Sequence, residues 1–285
     1  MRLLIIIILA VSRILAAAEP TYSLWNNQET VTEYAQRINL PLTKTLNLPT
    51  DIKLELVLIP AGKFTMGTPD QDPVEMPAHT VTLTKPFYMG KFVVTQEQYQ
   101  AVMNANPSGF KGKDHPVETV SWDDAQAFCK KMLELTKQTV RLPSEAEWEF
   151  SCKAGTTTQF HSGDLEADLA RVAWYGKNSN ESTHPVGQKE PNSFGLYDMH
   201  GNVWQWCQDW YDDDYYKVSP AENPQGPATG TVHMPGVGTS RVLRGCTWSI
   251  LEPHDCRSSR RWGGPFETRD KHLGFRIVLE LPKTR

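Results

Sequence analysis

Apolar and polar positions alternate in short, closely spaced runs along most of this chain, and they predict many small elements rather than a few long ones. The pattern sharpens at Leu54. Leu56, Val57, Leu58 and Ile59 form a strand-like run closed by Pro60, Ala61 and Gly62, and Phe64 to Gly67 follows, which together predict a hairpin. Residues 79–84 alternate Thr80, Val81, Thr82, Leu83 and predict a half-buried strand, with another over 87–94. Three helix starts are marked by capping chemistry, in which a side-chain oxygen accepts from an orphan amide while a residue three positions on reaches back. The pairs are Thr95 with Gln98, Ser121 with Asp124, and Ser144 with Glu147. The second helix puts Ala125, Phe128, Cys129, Met132 and Leu133 on one face, so Cys129 is expected to be buried. After Gly155 the pattern is loop-rich, with short strands expected at 241–244 and 274–279. The expected class is α+β, one loop-rich domain over 54–285 with little regular structure, preceded by a weakly patterned leader over 19–53.

Residues 1–18 read as a secretory signal: Arg2, an apolar run from Leu3 to Val11, and the small residues Ala16, Ala17 and Ala18 at a cleavage site. The implied destination is the periplasm or the medium, with no membrane span in the mature chain. Without Arg2 and Arg13 the formal charge moves from -4 to -6, which offers no general attraction for nucleic acid or an anionic membrane. The expected protein is a monomer. The five cysteines, Cys129, Cys152, Cys207, Cys246 and Cys256, suit disulfides in an oxidising compartment, and their odd number leaves at least one thiol. The eight histidines show no zinc spacing.

The densest chemistry lies in Gly195 to Trp206, reading GLYDMHGNVWQW. Its glycines allow tight turns, and Asp198, Asn202 and Gln205 supply oxygens of the kind a hard cation takes. This segment resembles the GLYDMxGNVWEW block of the formylglycine-generating, or sulfatase-modifying factor, family. Three more blocks agree in order: Ile59 to Gly67 with the family's opening, Arg141 to Phe150 (RLPSEAEWEF) with its RLPTEAEWEY block, and Arg241 to Trp248, Cys256 to Arg260 and Gly274 to Arg276 with its closing blocks. The resemblance implies a fold related to C-type lectins. It also implies a calcium site at Asp198, Gly201, Val203 and Gln205, in which Gln205 departs from the family's glutamate.

Family oxidases convert a sulfatase cysteine to formylglycine with oxygen and copper held by two cysteines, soft thiolates being apt ligands for Cu(I). Ser249 or Ile250 falls where that pair is expected, so copper is not expected here. The resemblance pairs Cys152 with Cys256 in a structural disulfide worth roughly 2–4 kcal/mol. Cys246 stands in place of the family's second glycine. With Cys207 it is left as a second bridge, a buried thiol pair or a metal-binding dithiol. Three functions stay open: a binding or accessory module, with a sulfatase as one candidate partner; a metal-dependent oxidoreductase with a rearranged site, for which Cys246, Cys207 and His254 are the candidates; and a lectin-like carbohydrate binder.

Overall fold

The computed structural model describes residues 21–231 and 239–282, so the expected signal over 1–18 lies outside the described residues. A five-stranded antiparallel sheet runs in the order β1 (Thr43–Asn47), β2 (Lys53–Ile59), β5 (Phe87–Gly90), β13 (Val278–Leu279), β6 (Val140–Arg141). A four-stranded sheet runs β11 (Arg261–Pro265), β10 (Ser240–Arg244), β9 (Trp204–Trp210), β12 (Leu273–Gly274), the last pair parallel. Two-stranded ribbons join β3 (Gly62–Met66) to β4 (His79–Leu83) and β7 (Ala173–Trp174) to β8 (His200–Gly201). The predicted hairpin of β2 with β3 does not form. Pro60 and Ala61 turn the chain between two sheets, and β2 pairs with β1 and β5 while β3 pairs with β4.

All three predicted caps are made. The side chains of Thr95, Ser121 and Ser144 accept from the third amide of α2 (Gln96–Met103), α3 (Trp122–Thr136) and α4 (Glu145–Lys153), and their backbone amides donate in return to the side-chain oxygens of Gln98, Asp124 and Glu147. On α3, Ala125, Phe128, Cys129 and Met132 are buried as expected, whereas Leu133 is 44% exposed. One residue is about 100° of rotation, which carries Leu133 past the edge of the core stripe. Phe128 stacks on Tyr99 at 5.7 Å, and both rings meet the edge or face of Phe275, tying α2 and α3 to the end of the chain.

The leader carries more structure than its weak pattern predicts. It contains α1 (Val31–Arg37) as well as β1, and its Trp25 ring packs against Phe194 at 5.1 Å. Tyr34 is fully buried and its hydroxyl accepts from Ala61 N at 3.1 Å. A few anchors rather than a continuous period hold this segment, which is why periodicity does not reveal it. Late in the chain, α5 (Glu166–Val172) and β9 also interrupt the region expected to be loop. Among the described residues no helix is long and apolar enough to cross a membrane.

Candidate functional site

The frame of the site is α4, which is buried along almost its whole length even though four of its nine residues are charged. Its carboxylates are placed one helical turn apart to meet arginines from the closing strands. Arg261, fully buried, donates from Nε to Glu145 Oε1 at 2.7 Å and from Nη2 to Oε2 at 2.9 Å, the bidentate geometry a guanidinium is built for. Arg244 pairs with Glu149, which also accepts from Lys153 Nζ at 2.7 Å and Gly67 N at 2.9 Å. Burial pushes the Glu149 carboxyl up, but the charges of Lys153 and Arg244 and the Gly67 amide outweigh it and hold it below the usual carboxylate range. The RLPSEAEWEF segment and the closing arginines are therefore a structural lock.

Beside this lock lies the segment that resembles the family's calcium loop. Asp198, Gly201, Val203 and Gln205 are all buried within the turn leading into β8 and β9. Asp198 Oδ2 accepts from Gly187 N at 2.9 Å and Oδ1 from Asn202 Nδ2 at 3.3 Å. Gln205 Oε1 accepts from both Trp148 Nε1, at 2.9 Å, and Arg276 Nε, at 2.6 Å. The side-chain oxygens that a cation would use are thus turned toward N–H groups, and this donor set does not fit calcium as it is arranged. Arg276 and Trp148 were not singled out by sequence reading, because their partner is 71 and 57 residues away along the chain.

The cysteines are arranged differently from the expectation. Cys256 bonds to Cys246, not to Cys152, with a Cα–Cα distance of 5.0 Å. Cys246 takes φ 59°, the left-handed conformation that its place in a glycine motif demands, directly after Gly245 at φ 96°. That turn, ten residues before Cys256, gives Cys256 a nearby partner that a Gly-Gly motif lacks. Cys152 is left as a thiol, its Sγ 3.6 Å from His200 Nε2, while His200 Nδ1 lies 2.7 Å from the Cys256 carbonyl. The candidate catalytic trio does not act together: Cys246 is bridged, Cys207 is a buried thiol on β9, and His254 is an exposed side chain 3.7 Å from Asp255.

Burial pushes the thiols of Cys129 and Cys152 up to about 12, and that of Cys207 well above the usual range. Burial also pulls His200 down to about 3, so the Cys152 and His200 pair is a neutral thiol beside a neutral imidazole. At pH 8 only roughly one such thiol in ten thousand is ionised. The folded protein is therefore expected to show no thiol reactive with a disulfide reagent, and three after denaturation without reductant. A native thiol titrating within minutes would contradict the burial of all three.

Where the family's copper pair is expected, the structure has an open groove of about 400 Å³. Its apolar walls are Trp204, Leu243, Trp262 and Leu273, with Thr247, Ser249 and His272 at the polar side. His272 Nδ1 bonds to Asp270 Oδ1, and its ring stacks on Trp248 at 4.7 Å. A hydroxyl and a hydrocarbon at Ser249 and Ile250 do not make a Cu(I) site, and Cys246 and Cys256 are taken up in a disulfide. The Asp-x-His spacing that orients His272 was a legible turn signal, but the two tryptophan walls come from separate strands and have no common sequence signature.

Residues 44–281 match the sulfatase-modifying factor enzyme 1-like domain. Among curated relatives, a serine/threonine-protein kinase pkn1 of Chlamydia pneumoniae is 32% identical over 261 residues, covering 82% of this chain but 39% of its own length. A chaperone protein LppX of Paenibacillus barcinonensis is 33% identical over 57% of this chain and 74% of its own. The formylglycine-generating enzyme of Streptomyces coelicolor is 29% identical over 80% of this chain and 90% of its own. The chain thus spans about two fifths of the kinase-named relative and most of the other two. Among solved structures, Treponema denticola variable protein 1 superposes with a TM-score of 0.77 at 31% identity, covering 85% of this chain and all of that one. The fold is the loop-rich α+β fold of formylglycine-generating enzymes, related to C-type lectins. The chain belongs to the sulfatase-modifying factor enzyme 1-like domain family.

Proposed function

We propose that this protein is an exported binding or accessory module that seats an extended peptide segment of a partner protein in the groove between Trp204 and Trp262, without oxidising it. The observation that carries this reading is the groove itself: a protein-lined, aromatic-walled depression at the place of the family's redox site, with no thiol pair beside it. Aromatic walls supply large contact area at low entropic cost, and β11, which contributes Trp262 to Pro265 to the lining, is an edge strand whose outer side no described strand pairs with. A relative named as a chaperone supports an accessory role, and one named as a formylglycine-generating enzyme supports a cysteine-bearing sulfatase segment as the first ligand to try. The oxidoreductase reading loses its basis where Cys246 is bridged and the remaining thiols are buried and neutral.

A fluorescent sulfatase-type cysteine peptide, offered with copper and oxygen, is expected to bind and to be recovered by mass spectrometry unchanged. Trp262→Ala is expected to weaken binding by about 10-fold or more, as loss of a central aromatic contact does. Aldehyde formation at the peptide cysteine would overturn the non-oxidising reading. Binding that is indifferent to Trp262→Ala would remove the groove from it.

A further inference from the structure

Three oxygens of the segment that resembles the calcium loop, with one from Gly90, are gathered around a cation, and that cation belongs to the chain. Arg276 is fully buried. Its Nε donates to Gln205 Oε1 at 2.6 Å, Nη1 to the Gly90 carbonyl at 2.9 Å, and Nη2 to the carbonyls of Tyr197 at 2.8 Å and Asp198 at 3.2 Å. Gln205 closes the ring by donating from Nε2 to the same Asp198 carbonyl at 2.8 Å. We infer that the Arg276 guanidinium, organised by Gln205, is the built-in positive charge of this loop and makes its architecture independent of calcium.

Three independent features support this assignment. The first is charge. Asp198 is the only carboxylate of the four positions, and with Arg276 it leaves the buried loop neutral, whereas a divalent ion would leave two positive charges without counter-charge in a site of low dielectric. The second is hydrogen bonding. A calcium ion collects six to eight oxygens, and turning Gln205 Oε1 toward it would strip the Trp148 indole and Arg276 Nε of a shared acceptor inside the core. The third is space. A single methyl carbon built on Gly201 would lie 2.2 Å from the Trp174 carbonyl, and one on Gly245 would lie 3.2 Å from Gln205 Nε2, so the turn is packed against its neighbours. The amide in place of the family's glutamate fits these facts: an amide both accepts from Arg276 and donates to Asp198, which a carboxylate does not.

The test uses the full chain. Thermal unfolding is followed in chelator, in millimolar calcium and in millimolar magnesium, and bound calcium is counted by elemental analysis after dialysis. An occupied site at a hundredfold excess over its Kd would raise Tm by ~5–10 °C. The expected result is the same Tm within ~1 °C in all three conditions. A calcium-specific rise that disappears in Asp198→Ala, which leaves no side-chain oxygen at this position, would place the ion in this loop and overturn the assignment. A rise that survives Asp198→Ala belongs to another part of the chain and leaves it standing.

Discussion

Glu145→Ala is expected to cost about 3–5 kcal/mol, because it leaves the fully buried Arg261 without the carboxylate that takes two of its hydrogen bonds. Against a total stability of about 5–15 kcal/mol for a domain, that removes about a fifth of the margin or more. Part of the Arg261 shell survives, since Nη1 still donates to the Val74 and Asp212 carbonyls at 3.0 and 2.9 Å and the Tyr216 ring lies 4.3 Å away. Those groups hold the guanidinium in place but do not neutralise it. Urea unfolding followed by circular dichroism checks the prediction, and a loss below ~1 kcal/mol would mean that water reaches Arg261. Replacing both partners, with Glu145→Leu and Arg261→Met, is expected to recover much of the loss. The penalty is that of an orphaned charge rather than of a missing attraction.

Cys246→Ser is expected to destabilise by about 3 kcal/mol, the loop-closure value for a bridge across ten residues, and to leave a hydroxyl in an apolar cluster. That cluster is Phe160, Leu169, Val172, Ala173 and Tyr175 around the two sulfurs. Cys246→Gly is expected to lose about 1 kcal/mol less than Cys246→Ser, since residue 246 sits at φ 59° and glycine adopts that conformation without strain. The two variants thus separate the bridge from the backbone. Non-reducing digestion and mass mapping give the direct check: a peptide linking Cys152 to Cys256 would refute the pairing, and a Cys246→Ser variant as stable as the wild type would refute its energetic weight.

What the sequence disclosed follows from the range of the interactions involved. The helices α2, α3 and α4 were announced by Thr95, Ser121 and Ser144 because a capping box is complete within four residues. Strands β4 and β10 were readable from local alternation. The partners of β2 were not, since β1 lies in the weakly patterned leader and β5 some thirty residues further on, and alternation encodes neither pairing. The same holds at the site. The motif placed Asp198 and Gln205 in one turn, but their chemistry is set by Trp148 and Arg276, which arrive from α4 and the last strand region. The disulfide was misassigned for a related reason. The cysteine at the family's glycine position is visible in the sequence, but the pairing carried over from relatives leaves Cys256 with Cys152, and that one replaced residue redirects Cys256 to Cys246.

The position of β13 sets an order of assembly. Val278 and Leu279 lie between β5, from residues 87–90, and β6, from residues 140–141, so the last described strand is an interior one, fourth of the five in the sheet. A chain emerging from its amino end can pair β1, β2 and β5 early, but β6 has no strand to join until residue 279 arrives. The sheet therefore gains its last two strands only when residue 279 is present, and loss of a few residues near Leu279 would cut β6 off from β5 as well as remove β13 itself.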